Sequence, residues 1–187
     1  MSNKIQDKLT KQPVGRRKFL TYSGGLAAAA AVSALPAPAV HATSKVKIGF
    51  VSPQTGPLAP FGEADKFVLA DAREALKNGI KIGNKTYQVE IISKDSQSNP
   101  NRAAEVTSQL ILKDKVNIMI GSSTGDTVNP VSDQCELNEM PCVTSDTPWQ
   151  IVYFGRGATP KKGFKWTYHF FWGIDDMVGN FINMWNT

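Results

Sequence analysis

A turn of small and hydroxyl residues lies between a short apolar run and a helical pattern. The run is Val116, Ile118, Met119 and Ile120, and the turn, Gly121 to Thr127, carries no large side chain. A ligand can therefore approach its backbone amides closely, and these amides also begin a helix whose dipole favours an anion. The same pattern suits an ordinary strand-to-helix turn that binds nothing, and the stretch alone leaves both interpretations open.

Two other groups near this turn have more than one possible role. Asp126 is either a favourable charge at a helix N-terminus or a receptor for an amine or amide. His169 lies in the middle of a predicted strand without an identified Ser, Cys or carboxylate partner, so we assign it a structural role. We predict no catalytic residue and no cofactor.

The cysteines of the chain are Cys135 and Cys142. Their spacing is not that of a metal site, and no histidine lies beside them. Cys135 is predicted near the end of a helix and Cys142 on the next strand. A local disulfide and two buried free thiols both fit this placement, because sequence does not give the Cα geometry that a disulfide needs.

The charge is concentrated at the N-terminus. Residues 1–42 hold six Lys and Arg against one Asp, which accounts for the whole net charge of +5. The remaining residues are neutral and contain no basic patch, so we predict no nucleic-acid partner.

Residues 1–42 are predicted to be a secretory signal. Arg16 and Arg17 precede an Ala-rich apolar run from Leu26 to Leu35, and Val40-His41-Ala42 ends in the small-x-small pattern of a cleavage site. The paired arginines and weakly hydrophobic run resemble a twin-arginine leader. We predict cleavage after Ala42, export to the periplasm, and an interaction with the export machinery.

Strands and helices alternate along the rest of the chain. Strands are predicted at 45–51, 87–93, 116–120 and 140–144, with a hairpin-like approach at 80–84, and helices at 61–76, 100–112 and 127–138. Ala103, Val106, Leu110 and Ile111 are predicted on the inner face of the second helix. The first helix is predicted to bury Phe61, Ala64, Phe67 or Val68, Ala72, and Ala75 or Leu76.

This alternation predicts an α/β fold, an open parallel sheet with helices on both faces. Nucleotide-binding versions of the fold lack support, because the G-x-G-x-x-G and P-loop motifs are absent from the sequence. Ile151 to Lys165 is predicted to be a surface loop, Lys165 to Gly173 an aromatic strand, and Met177 to Trp185 a helix capped by Asp175 or Asp176. The chain stops within that helix, which is typical of a truncated protein.

The ordered motifs resemble the amino-terminal lobe of type I periplasmic solute-binding proteins of the branched-chain amino acid and amide uptake family. The resemblance is carried by Ile48-Gly49-Phe50, the 52–57 turn with Phe61-Gly62, Asp95 with Asn99-Pro100, 120–133, 141–144 and Pro148-Trp149-Gln150. It implies a signal over 1–42, a first lobe over 43–150, and a loop and crossover into a truncated second lobe over 151–187.

The resemblance also implies ligand contacts in the loops after the first, third and fourth strands. By position these are Gln54, Thr55 and Gly56; Gly125, Asp126 and Thr127; and Ser145, Asp146 and Thr147 with Trp149 beside them. Many relatives have Ser where Gly125 stands and use its hydroxyl on a ligand carboxylate. The missing hydroxyl and the neighbouring Asp126 argue against a plain amino-acid specificity.

The function implied is that of the substrate-binding subunit of an ABC importer. Such a subunit captures a small polar solute (an amino acid, an amide or a small organic acid) between two lobes and delivers it to a permease in the inner membrane. The alternatives are a ligand-sensing module of a receptor, an exported enzyme, or a non-functional truncated remnant.

Overall fold

A computed structural model describes residues 45–186 of the chain. The predicted signal, its paired arginines and its cleavage site lie outside the described residues. The sheet has six strands: β1 (Lys45–Ser52), β2 (Ile80–Ile82), β3 (Lys85–Asp95), β4 (Ile118–Gly121), β5 (Cys142–Thr144) and β6 (Thr167–His169). Their order across the sheet is β2-β3-β1-β4-β5-β6.

Five of these strands are parallel, as predicted, but the sheet is mixed at one edge. β2 pairs antiparallel with β3, with Ile80 opposite Tyr87. Only two residues, Gly83 and Asn84, separate the two strands, and such a short connection can join only antiparallel neighbours. Gly83 has φ = 60°, the left-handed conformation that these hairpin turns require.

The helices cover both faces of the sheet. They are α1 (Asp65–Ala75), α2 (Pro100–Leu112), α3 (Gly125–Leu137), α4 (Trp149–Tyr153) and α5 (Ile174–Trp185), with a 3-10 helix over Ala59–Gly62. α2 and α3 pack on each other and against β1 and β4, whereas α1 packs on β3. Among the parallel strands, the chain first fills the second position of the sheet, then the first, and then the third, fourth and fifth. The direction across the sheet therefore reverses after β3, and right-handed crossovers in opposite directions place their helices on opposite faces.

The main core lies between the sheet and the α2–α3 layer. The inner face of α2 is as predicted: Ala103, Val106, Leu110 and Ile111 are all buried there, against Val51, Met119 and Val131. Gly49 leaves the room that this packing needs, because a Cβ there would lie 2.4 Å from Met119 Sδ. Asn99 begins the helix as predicted, since its side chain accepts a hydrogen bond from the amide of Arg102 at 3.0 Å.

The predicted inner face of α1 is wrong over its first half. Phe61, Phe67 and Val68 are 65%, 70% and 55% exposed, while Asp65 and Leu69 are buried. The 3-10 helix over Ala59–Gly62 separates Phe61 from α1, so the α-helical period starts afresh at Asp65. A helical period counted from Phe61 therefore assigns the wrong residues of α1 to the face that packs on the sheet.

The segment after residue 148 contains a helix that the sequence analysis missed, because α4 lies where a surface loop was predicted. The edge strand β6 is held to α3 by Glu136, whose carboxylate accepts hydrogen bonds from the amides of Lys165, Trp166 and Thr167. α5 begins at Ile174, earlier than predicted, so Gly173 is its N-cap and the predicted capping role of Asp175 or Asp176 is wrong. Asp176 lies in the first turn and accepts a hydrogen bond from the amide of Gly173 at 2.8 Å. None of the α5 side chains that the structure describes is buried.

Cys135 and Cys142 are both buried and both free, which is the second of the two alternatives left open by the sequence. They lie in the α2–α3 core, Cys135 on α3 and Cys142 on β5. The hydrogen bond to the Cys142 thiol and the burial of the site raise the pKa of Cys135. As a thiolate is the reactive form, this thiol is protonated and unreactive in the folded state. Within residues 45–186, no helix is both long enough and apolar enough to cross a membrane.

We expect Leu110→Ala to lower the free energy of unfolding by about 2–5 kcal/mol, because it leaves a cavity at a fully buried position. Leu112→Ala is the matched control on the same helix, since Leu112 is 55% exposed and should cost about 0.5 kcal/mol or less. Urea denaturation of both variants measures the difference. Equal losses would show that the α2–α3 layer does not form the main core.

Candidate ligand-binding site

The candidate site lies at the carboxyl ends of β1, β4 and β5. β1 pairs with β4 and β4 with β5, so the loops that follow these strands emerge side by side at one edge of the sheet. The helices after β1 and β4 lie on opposite faces, which opens a crevice between their loops. Open α/β sheets bind ligands at this kind of switch point.

Hydrogen bonds join the loop after β4 to the loop after β5. Ser122 Oγ donates to Asp146 Oδ2 at 3.0 Å, and the Thr124 amide donates to the Asp146 carbonyl at 3.3 Å. The Ser145 amide donates to the Gly121 carbonyl at 3.2 Å. The structure therefore brings Ser145 and Asp146 together with the turn that precedes Gly125.

Three non-glycine residues in these two loops have positive φ: Ser123 at 66°, Thr124 at 71° and Asp146 at 59°. Each such conformation costs on the order of 1–3 kcal/mol and persists only where the surrounding structure enforces it. Here the enforcement comes from the Ser122–Asp146 hydrogen bond and from Ser123 Oγ, which donates to the Phe61 carbonyl at 2.8 Å. Strain of this kind concentrates at binding and catalytic sites.

The first turn of α3 presents free amide groups toward this crevice edge. The amides of Thr127 and Val128 both donate to the Thr124 carbonyl, whereas those of Gly125 and Asp126 have no acceptor among the described residues. The Thr127 side chain is fully buried, and its hydroxyl lies 3.0 Å from Ser96 Oγ. Thr127 therefore braces the loop after β3, while Gly125 and Asp126 supply the open donors.

Gln54, Thr55 and Gly56 form a turn that is bound to the loop after β3. Asp95 Oδ1 accepts from the amides of Gln54 and Thr55 at 2.9 and 3.2 Å, and Asp95 Oδ2 accepts from the Thr55 hydroxyl at 2.6 Å. Gln54 Nε2 donates to Ser93 Oγ at 2.7 Å. The polar groups of these two side chains are thus engaged in fixing the turn.

Trp149 lies in an aromatic cluster on α4. Its ring is 6.2 Å from that of Tyr153 and 5.8 Å from that of Phe154, centroid to centroid. It lines a cavity of about 340 Å³ together with Tyr153, Arg156, Phe164 and His169. The side chain of Arg156 is 2% exposed, stacks 3.8 Å from the Phe164 ring centroid, and pairs with Asp133.

His169 connects β6 to the loop after β5. Its Nε2 donates to the Thr147 carbonyl at 2.8 Å, so its Nδ1 accepts from the Thr144 hydroxyl at 2.9 Å. Burial lowers the pKa of His169, although the Thr147 carbonyl and Asp146 partly oppose that shift. A neutral ring with both nitrogens engaged holds Thr147 in place.

The sequence analysis missed Asp65, which is 9% exposed at the start of α1. Burial raises its pKa, the Ser52 side chain lowers it, and the charge of Asp146 raises it further. Its Oδ2 has no hydrogen-bond partner among the described residues, and neither do the hydroxyls of Ser52 and Thr147. A carboxylate at an otherwise apolar helical position was the available signal.

Residues 45–186 contain no group of three or more His, Cys, Asp or Glu side chains that could hold a metal ion. The arrangement as described offers backbone amides, hydroxyls and carboxylates at one edge of the sheet. Such a set can orient a small polar molecule by hydrogen bonding.

We expect Asp95→Asn to destabilise the protein by about 1–3 kcal/mol at neutral pH, because the carboxylate accepts several hydrogen bonds that an amide cannot all replace. These bonds, from Thr55, Gln97 and Gln54, outweigh burial and lower the pKa of Asp95 below its usual 3.8. Its contribution is therefore present above about pH 4 and is lost as the pH falls through the folded-state pKa.

The measurement is urea unfolding of both proteins from pH 7 to pH 2.5. The gap between wild type and Asp95→Asn should narrow below about pH 4. Asp71→Asn makes the same chemical change at an exposed position of α1 and should leave stability unchanged at each pH. A gap that stays constant at low pH would contradict the role of the ionised carboxylate.

The sequence and the structure were compared with known proteins. A family model described as periplasmic binding protein matches residues 45–185. A search of the curated proteins found no match.

Three solved structures illustrate the structural similarity. A leucine-binding protein from Thermotoga maritima is 24% identical with a TM-score of 0.59, covering 75% of this chain and 36% of its own. An extracellular ligand-binding receptor from Rhodopseudomonas palustris HaA2 is 25% identical with a TM-score of 0.58, covering 76% and 37%. A solute-binding protein from Rhodopseudomonas palustris BisB5, in complex with 3,4-dihydroxybenzoic acid, is 17% identical with a TM-score of 0.56, covering 75% and 36%.

The chain therefore spans just over a third of the length of these structures. The shared part is the α/β lobe that carries the candidate site. The family model matches nearly all of the described residues, and the fold agrees with it. This chain belongs to the periplasmic binding protein family.

Proposed function

We propose that the protein is the extracytoplasmic substrate-binding component of an ABC importer. The observation that carries the proposal is the convergence of free helix amides, hydroxyls and the Asp146 carboxylate at the switch point of the sheet. Membership of the periplasmic binding protein family supports it. The solute would be small and polar, because every group offered at this edge is a hydrogen-bonding or charged group of short reach.

In this proposal the chain supplies one side of a two-lobed cleft. The loops after β4 and β5 would form the first-lobe contacts, with Gly125, Asp126, Ser145, Asp146 and Thr147 as the contributing residues. The Gln54–Gly56 turn would shape the rim rather than bind, since Asp95 and Ser93 already engage its side chains. Closure of a second lobe would complete the contacts and create the form that a permease in the inner membrane accepts.

The hydrogen bonds of His169 favour a protein that binds its solute without catalysis. The histidine at this end of the sheet has both ring nitrogens occupied by Thr144 and Thr147. A general base needs a free nitrogen within reach of the proton that it removes. We therefore infer that His169 positions the loop after β5 and performs no proton transfer.

The relatives indicate what solutes to test. One is named a leucine-binding protein and another was solved with 3,4-dihydroxybenzoic acid. A thermal-shift screen of the full-length gene product against amino acids, amides, urea, amines and small aromatic or aliphatic acids tests the function. A ligand that binds only the folded state stabilises it by about 2.7 kcal/mol at 100 times its Kd.

We expect one solute class to raise the melting temperature of the full-length gene product. Residues 43–187 alone should bind the same solute more weakly than the micromolar range, because in this proposal a second lobe supplies the opposing contacts. Ser145→Ala is expected to reduce the shift by removing a hydroxyl at the site, while Phe67→Ala, at an exposed aromatic of α1, should leave it unchanged. A folded protein that no class stabilises would contradict the proposal.

We also propose that the protein reaches the periplasm through a twin-arginine leader that is cleaved after Ala42. Replacing Arg16 and Arg17 by Lys preserves the charge but removes the paired guanidinium groups that such signals require. We expect the uncleaved precursor to accumulate in the cytoplasm. Cell fractionation and mass spectrometry of the mature N-terminus measure this, with Lys11→Arg as the control. Undiminished export of the double variant would point to the general secretory route.

A further inference from the structure

The candidate site has an excess of negative charge. Asp146 and Asp126 are both exposed at the crevice edge, and none of the ion pairs among the described residues involves either of them or Asp65. One oxygen of Asp146 accepts the Ser122 hydroxyl, and its other oxygen has no donor among the described residues. Asp146 is therefore an exposed carboxylate with one open acceptor oxygen.

A second carboxylate, that of Asp65 at the start of α1, is buried. Asp65 is 9% exposed, and its Oδ2 has no hydrogen-bond partner among the described residues. Ser52 is fully buried at the end of β1, and its side chain lowers the pKa of the same carboxylate. Its hydroxyl nevertheless makes no hydrogen bond of ordinary geometry to the described residues. Asp65 and Asp146 are close enough for the charge of Asp146 to raise the pKa of Asp65.

The loop after β5 holds a further unsatisfied polar group. Thr147, next to Asp146, is 1% exposed, and its hydroxyl oxygen has no partner among the described residues. Buried polar atoms are nearly always paired in folded proteins, so the unpaired oxygen of the buried Asp65 carboxylate requires an explanation. A ligand that donates hydrogen bonds and carries positive charge would satisfy the carboxylates, whereas a bound carboxylate would add repulsion.

We propose that the solute carries a cationic nitrogen group (an ammonium, amidinium or guanidinium) that Asp146 receives directly and that Asp65 stabilises. The inference rests on the proposed function, since it assigns the charge class of the solute at that same site. Asp146 is the specificity-determining contact, and Asp65, which is mostly buried, is a positioning charge. The open amides of Gly125 and Asp126 remain for an uncharged oxygen acceptor on the same solute, such as an amide carbonyl.

The experiment uses probes that share one carbon skeleton and differ in charge. Leucinamide is cationic, leucine is zwitterionic and 4-methylpentanoate is anionic; putrescine and agmatine extend the cationic set, and benzoate the anionic set. Calorimetric titration of the full-length gene product with each probe should give binding by cationic probes and none by the anions. Asp146→Asn should lower the affinity for the bound cation at least tenfold, whereas Asp71→Asn should leave it unchanged.

Asp65→Asn distinguishes an electrostatic effect of Asp65 on ligand affinity from a purely structural role of this residue. It removes a buried, unpaired charge, so the ligand-free protein should keep or raise its melting temperature. The same variant should lower the affinity for the cationic probe several-fold. A residue with only a structural role would instead lose stability and leave the ratio of cation to neutral-probe affinity unchanged, with N-acetylleucinamide as the neutral probe.

The outcomes distinguish this inference from the function on which it rests. Tighter binding of leucine or of an anion than of the matched cation, with Asp146→Asn neutral or favourable, would overturn the cation assignment and leave solute binding intact. Absence of binding by any probe class, including the wider solute screen, would overturn both. A fall in melting temperature of Asp65→Asn with unchanged cation affinity would overturn the role given to Asp65.

Discussion

The pairing of β1 with β4 is the constraint on which the rest of this lobe depends. Chain order would place β3 between them, but the crossover through α2 carries the chain past β1 and sets β4 directly beside it. The close packing at that seam requires Gly49, because any side chain there would collide with Met119. Full burial of Leu110 and Met119 contributes about 1.5–3 kcal/mol each to holding the seam.

The same pairing brings polar loops together at the strand ends, where backbone strain and unpaired polar groups lower stability. The loops after β1 and β4 leave the sheet toward opposite faces, so the amides at the start of α3 meet no strand or helix that could satisfy them. Ser123, Thr124 and Asp146 adopt positive φ there, and the hydroxyls of Ser52 and Thr147 are buried without partners. The α2–α3 layer thus holds the main hydrophobic core, whereas the strand ends hold strained backbone and several unsatisfied polar groups.

The sequence predicted those parts of the fold in which one local pattern decides the outcome. The inner face of α2 follows from its helical period, and its start follows from Asn99 and Pro100. α1 was misassigned because a 3-10 turn interrupts the period, and α4 because five residues carry too little periodicity. At the site, the position of the β4 turn was predictable. The hydrogen bonds of Gln54 and Thr55 to Asp95, and the burial of Asp65, were not predictable. They depend on contacts between residues distant in sequence.

The fold itself says little about the charge of a ligand. A relative solved with 3,4-dihydroxybenzoic acid has the same lobe architecture at 17% identity, so one sheet accommodates solutes of different chemistry. The side chains on the loops after β4 and β5 lie outside the main hydrophobic core, so the fold does not dictate them. Asp146 stands on one of these loops, whereas Asp65 occupies a buried position of α1. Burial of an unpaired carboxylate costs stability, and under the proposed function a cationic group bound at Asp146 would offset that cost.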